Sequence, residues 1–281
     1  MEIFYTFILL FLGFFIGLIG TFIGVGGGIL LIMVLLFMVE PLPFDGFESV
    51  RIVIVNSAFI LYAMQLSLFI RKVFRKEVYL KATTIVAIPA ILITTLLGFI
   101  ILQFDIIDLF TYKIIFVVFI IYTSFILISN RERGMFEVCN RGGVKGNLRN
   151  LFAGILSGTF TSITGADSGI FIVPVLNKYC DIDIRKAVNI YNSSLFFILL
   201  TIVILFAVIP NKGDILGNDF TGYIYWPYAL PLLGGAFTAS FIGYTLFQKF
   251  KFNYFVYPLV FIFTVTALRI LFSDILYSLY L

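Results

Sequence analysis

The sequence predicts an all-α, polytopic membrane fold built as two inverted repeats, each a glycine-broken helical hairpin followed by three transmembrane helices. Three observations predict it: the hydropathy of the chain, a gapless internal repeat, and the placement of the basic residues. The 281 residues are 61% hydrophobic and 12% charged, with a mean hydropathy of +1.11, far outside the range of soluble domains.

A membrane helix needs about 20 mostly apolar residues. The first half offers such runs at Ile3 to Phe22, Ile52 to Ile70, Leu80 to Leu102 and Ile114 to Ser129. The second offers Leu151 to Thr164, Ile170 to Leu176, Ala187 to Ile209, Ile224 to Phe247 and Phe255 to Phe272. Only short polar connections separate them. The first run lacks a basic leader and a small-residue cleavage site, so it is expected to stay as a helix. The chain therefore divides into an N-terminal repeat at 1–130, a basic cytoplasmic linker at 131–149 and a C-terminal repeat at 150–281.

The repeat lies in two glycine-rich segments. GFFIGLIGTFIGVGGGILLIMVL, Gly13 to Leu35, aligns without gaps to GILSGTFTSITGADSGIFIVPVL, Gly154 to Leu176. Gly13, Gly17, Gly24 and Gly28 fall on Gly154, Gly158, Gly165 and Gly169 at a constant offset of 141 residues, the mark of a duplication. A weaker match follows, in which Asn56-Ser57 answers Asn192-Ser193-Ser194.

Gly13/Gly17 and Gly20/Gly24 have small-xxx-small spacing, which serves close helix packing as readily as a site. Gly26-Gly27-Gly28 is different. Each glycine costs about 1 kcal/mol relative to alanine inside a helix, so three in a row mark a break in the chain. Broken backbone at membrane depth is tolerated only where protein buries it or it lines an aqueous cavity, which points to a pathway. The pieces beyond the breaks, Ile29 to Val39 and Ile170 to Tyr179, are short. At 1.5 Å per residue each spans roughly 16 Å, half a bilayer.

Charge decides between two topologies. If each glycine segment folds back, the halves are inverted, and 15 of the 19 Lys and Arg residues fall inside. The inside set comprises the Arg71 to Lys81 and Arg131 to Arg149 loops with Lys178, Arg185, Lys186, Lys249 and Lys251. Arg51, Lys113, Lys212 and Arg269 fall outside, beside Glu40, Asp45, Glu48, Asp105, Asp108, Asp214 and Asp219. Eight simple crossings with parallel halves give 12 inside and 7 outside. The inverted arrangement fits better and brings the two hairpin tips together from opposite sides.

The same inventory excludes function classes. The net charge of +4 sits in loops beside membrane helices, which argues for anchoring rather than a nucleic-acid partner. Histidine is absent and Cys139 and Cys180 are isolated, so neither a metal box nor a disulfide framework is visible and no cofactor is expected. With no acidic pair on one helix either, a membrane enzyme has little chemistry to use, and a scaffold needs no paired glycine breaks. A transporter in the cell membrane ranks first.

The first copy, GLIGTFIGVGGGILL, resembles the repeated glycine-rich signature of the sulfite exporter TauE/SafE family. The second keeps Gly158, Gly165, Gly169 and Pro174 but carries Ala166-Asp167-Ser168 where the family pattern is glycine-rich. The resemblance implies a permease for sulfite, organosulfonates or related small anions.

The residues suit an anion independently. A half-helix starting at Gly28 or Gly169 points unpaired N–H groups and its positive dipole end at the cavity. Gly26, Gly27, Gly28 and Gly169 allow close approach, and Asn56, Ser57, Ser168, Asn192 and Ser193 supply uncharged donors, with Thr21, Thr161, Ser162, Thr164 and Ser194 nearby in sequence. Each hydroxyl has an alternative in a bond to its own helix, and the two asparagines in helix–helix bonding. Asp167 at the second tip admits three roles: a carboxyl that couples anion movement to protons, a ligand for a coupling or transported cation, and a cap on the following half-helix.

Overall fold

Among the residues described by the computed structural model, which are 2–23, 27–132, 147–178, 182, 184–208, 219–247 and 253–279, there are ten helices and one two-stranded hairpin. Gly26, Cys139, Cys180, Lys212, Asp214, Lys249, Lys251 and the basic segment at 133–146 lie outside the described residues. The first five helices are α1 (Glu2–Ile23), α2 (Gly27–Val39), α3 (Gly46–Phe74), α4 (Leu80–Gln103) and α5 (Leu109–Glu132). Then come α6 (Asn147–Thr164), α7 (Gly169–Lys178), α8 (Ile184–Val208), the strands β1 (Phe220–Thr221) and β2 (Ile224–Tyr225), α9 (Trp226–Phe247) and α10 (Asn253–Leu279).

Two elements depart from the hydropathy reading. α5 starts at Leu109 rather than near Ile114 because Asp108 caps it, accepting the Thr111 amide at 3.0 Å. The Thr111 hydroxyl and amide hold the Asp108 carboxyl below its ordinary range. Ile224 and Tyr225, which hydropathy places in a helix, form β2, with Tyr225 opposite Phe220 and Ile224 opposite Thr221. The turn between the strands needs Gly222, whose φ is +59°, and α9 begins after it with Pro227 in its first turn.

Pairs of residues fix how the helices run. Arg51 near the start of α3 donates to the Ile101 carbonyl at 3.1 Å and to Asp105 at 2.6 Å, beside the end of α4, so α3 and α4 are antiparallel. Along α4, Thr83 accepts from Ser194 of α8 and Gly98 lies on Leu205, so these two helices ascend together. α8 consequently runs against α3. Phe59 and Ser67 of α3 meet Trp226 and Ser240 of α9, again in parallel.

The closest packing exchanges partners between the halves. Gly13 and Gly17 of α1 lie on Leu232 and Ala236 of α9, while Gly154 and Gly158 of α6 lie on Val86 and Ala90 of α4. A Cβ at Gly17 would stand 2.6 Å from Ala236 Cα, and one at Gly158 would stand 2.9 Å from Ala90 Cα. No side chain fits at either position. Without a hydrophobic force between helices in lipid, backbone approach of this kind supplies the dispersion contact that holds them.

α4 presents Ile88, Leu92, Leu96 and Phe99 outward, and α5 presents Val118, Ile121 and Phe125, each between 48% and 66% exposed. Stripes of this size suit hydrocarbon, not water. Among the described residues, five helices are long and apolar enough to cross a membrane, lying within α1, α3, α4, α5 and α8. The ends differ in charge. Arg71, Lys72, Arg75, Lys76, Lys81, Arg149 and Lys186 gather where α3 ends and α4, α6 and α8 begin, whereas Glu40, Asp45, Glu48, Asp105 and Asp108 gather at the other end.

Replacing Gly17 or Gly158 by valine is expected to destabilise the protein by about 1–3 kcal/mol through overpacking. Gly234 of α9 is the control, because a Cβ there meets nothing within 4 Å and alanine there should stabilise by up to about 1 kcal/mol. Thermal unfolding in detergent reads both, and equal effects at Gly158 and Gly234 would contradict the packing account.

Candidate functional site

α6 ends because Gly165 turns left-handed, at φ +68°, with its N–H on the Thr161 carbonyl at 2.9 Å. The chain then crosses Ala166, Asp167 and Ser168, all buried, before α7 starts at Gly169. Side chains satisfy this irregular stretch. Ser57 of α3 donates to the Gly165 carbonyl at 3.0 Å, Tyr112 of α5 donates to the Thr164 carbonyl, and the Ala166 amide donates to Thr164 Oγ1 at 3.1 Å. Asp167 Oδ1 accepts the Gly169 amide at 2.8 Å, the geometry of a cap, one of the three roles the sequence allows it.

Asp167 also terminates a chain of hydroxyls. Tyr191 of α8 donates its one proton to Asp167 Oδ1 at 2.6 Å. Its oxygen is then an acceptor for Ser168 Oγ at 3.1 Å, and Ser168 in turn accepts from Thr161 at 3.2 Å and Ser157 at 3.3 Å. Every proton in the chain points toward the carboxylate. The group carries 4% exposure at Asp167 and none at Ser157, Thr161, Ser168 and Tyr191.

The first break comes up against the second. Gly28, at the start of α2, is so close to the other tip that a Cβ there would stand 2.5 Å from the Asp167 amide nitrogen, 3.1 Å from Ala166 Cα and 2.9 Å from Leu61. Gly27 packs on Gly20 of α1, with Met64 alongside. Gly28, Asp167, Ser168, Gly169 and Ser57 therefore meet at one junction between α2, α3, α7 and α8.

Three sequence candidates lie elsewhere. Asn56 spends its amide on the connector before α9, donating to Ile52 O at 2.7 Å and Tyr223 O at 3.1 Å and accepting the Tyr225 amide at 3.0 Å. Ser193 bonds the Asn189 carbonyl of its own helix at 2.8 Å. Asn192 is 5% exposed, and its Oδ1 has no hydrogen-bond partner. Sequence reasoning left out Tyr191, Ser157 and Tyr112. A signal existed for Tyr191: tyrosine belongs at membrane interfaces, and this one lies two turns inside an apolar helix.

A bundle with a lipid-facing exterior and a buried polar junction where two half-helices begin defines a multi-pass membrane transporter. The profile of the sulfite exporter TauE/SafE family matches residues 9–270, and the chain belongs to that family. It is similar to a probable membrane transporter protein of Methanocaldococcus jannaschii, with 24% identity over 257 residues and 86% of each chain covered. No solved structure matches it.

Replacing Asn56 by leucine leaves the Tyr225 amide and Tyr223 carbonyl without their partner. Thermal unfolding is expected to show a loss of about 2 kcal/mol or more. A wild-type transition would show that Asn56 does not hold the connector.

Proposed function

We propose that this chain is a secondary permease for a small sulfur-containing anion, such as sulfite or an organosulfonate, working by alternating access between two inverted halves. The observation that carries the reading is the contact of Gly28 with Ala166 and Asp167 beside the Ser157, Thr161, Ser168 and Tyr191 hydroxyls. Two half-helix starts and a set of neutral donors suit an oxyanion that must be both bound and released. The family name supports the substrate class.

Inversion of the repeats at 1–130 and 150–281 is supported by the opposed directions of α3 and α8 and by the separation of acidic and basic ends. The basic end is cytoplasmic in this reading.

The hydroxyl chain supports proton coupling through Asp167. As a carboxylate it holds the Tyr191 proton and, through Tyr191, orients Ser168, so it competes with a substrate anion for the same donors. Once Asp167 takes up a proton, that competition ends and the hydroxyls turn to the anion. One proton then travels with, or is exchanged for, each change in occupancy.

The test is uptake of labelled sulfite by proteoliposomes with and without a pH gradient. Wild type should respond to the gradient, and Asp167→Asn should still bind sulfite while its transport loses pH dependence. Tyr191→Phe should slow uptake about tenfold or more, since a charge-assisted hydrogen bond is lost. Unaltered pH dependence in Asp167→Asn would remove the coupling, a response to sodium or potassium gradients instead would favour a cation at Asp167, and absence of sulfite flux would remove the substrate.

A further inference from the structure

The turn that joins α3 to α4 lies at the basic end, and it holds a lysine where the backbone favours glycine. α3 ends in a Schellman closure: the Glu77 amide donates to the Lys72 carbonyl at 3.0 Å and the Lys76 amide to the Val73 carbonyl at 3.1 Å. The closure needs Lys76 in the left-handed region, at φ +57°, where it is the single non-glycine among the described residues. A side chain at such a position costs stability that glycine would spare. What Lys76 offers in return is a charge on the outside of the turn.

Between Arg71 and Lys81 the chain carries five cations and one carboxylate. Arg71 is turned to α9, donating to the Phe241 carbonyl at 3.0 Å with its guanidinium over the Phe241 ring. Lys72 is buried, within the field of Glu77. Arg75, Lys76 and Lys81 are exposed. Among them stand Phe74 and Leu80, 83% and 71% exposed, a mixture that is costly in water and ordinary at a membrane surface. Leu80 also begins the outward stripe of α4 that continues through Ile88, Leu92 and Leu96 to Phe99. From Leu80 to Phe99 is 19 residues, about 28 Å of helix, which matches the hydrocarbon layer. The cations at its Leu80 edge therefore stand at the level of the lipid phosphates.

We propose that the α3–α4 turn is a binding site for an anionic phospholipid, with Arg75, Lys76 and Lys81 supplying charge to its headgroup and Phe74 and Leu80 lying against its acyl chains. An anionic headgroup suits three cations better than a zwitterionic one, because it brings no positive group among them. The site is independent of the solute that the chain transports.

Lipid titration of the purified full chain in detergent, read by native mass spectrometry, tests it. Phosphatidylglycerol should bind about tenfold or more tighter than phosphatidylcholine. Lys76→Gly should weaken phosphatidylglycerol about fivefold. The same variant should raise the unfolding midpoint, measured without that lipid, by about 2 °C, because the turn loses its strain and keeps its shape. Movements in opposite directions separate a lipid ligand from a lysine that serves the turn alone. Lys81→Gln should weaken phosphatidylglycerol to a similar extent, and Lys76→Arg should stay within about twofold of wild type. Equal affinity of wild type for the two lipids, or wild-type affinity for phosphatidylglycerol in either Lys76→Gly or Lys81→Gln, overturns the proposal. So does a midpoint that falls in Lys76→Gly, since lysine would then be the residue the turn itself prefers. Displacement of the lipid by an equal concentration of glycerol phosphate also overturns it, because the turn would then be a site for soluble phosphates rather than for a membrane lipid.

Discussion

A chain that leaves the helical conformation halfway across a bilayer must find a partner for each polar backbone group it bares, because hydrocarbon offers none. That constraint organises the centre of this molecule. The turn at 165–168 is possible only because Ser57, Tyr112 and Thr164 reach it from three helices. Position and depth of α3 follow from the same need. Its adjacent residues Asn56 and Ser57 each bond a different irregular segment of the second half, one the connector before α9 and the other the tip after α6. The longest helix among the described residues is thereby tied to two places that are not helical.

The two glycine segments share packing roles in the structure rather than side chains. Gly17 and Gly158 do the same work against Ala236 and Ala90. The tips do not. Where the first break offers Gly27 and Gly28, the second has Asp167 and Ser168, and Gly28 must lack a side chain because the Asp167 backbone stands where its Cβ would be. Asymmetry at this contact is thus a steric arrangement: the first segment supplies room and the second the polar side chains.

Much of the architecture was legible from hydropathy and the glycine register, since helices in lipid are announced by long apolar runs and breaks by consecutive glycines. The two short helices and the meeting of the glycine segments were legible, and capping by Asp167 was one of three roles the sequence left open. What escaped had a common cause, the dependence of a polar residue on a partner distant in sequence. The sequence pairs Asn56 with Asn192, yet among the described residues it is Asn56 that binds a connector, the β1–β2 turn before α9. That turn was itself hidden, its Ile224 and Tyr225 reading as the apolar start of a helix. Tyr191 was passed over because one hydroxyl in a run of aliphatic residues carries no periodic signal.

The exchange of close-packed partners between halves has a consequence for how the molecule is made. The glycine face of α1 is built for α9, which begins at Trp226, about two hundred residues later in the chain. Until α9 is made, Gly13 and Gly17 lack the backbone they are shaped to meet. α6 is in the opposite situation, since α4 is already inserted when Gly154 and Gly158 appear. The α4–α6 contact joins segments nearer in the chain than the α1–α9 contact does, so its partners are both present earlier in synthesis.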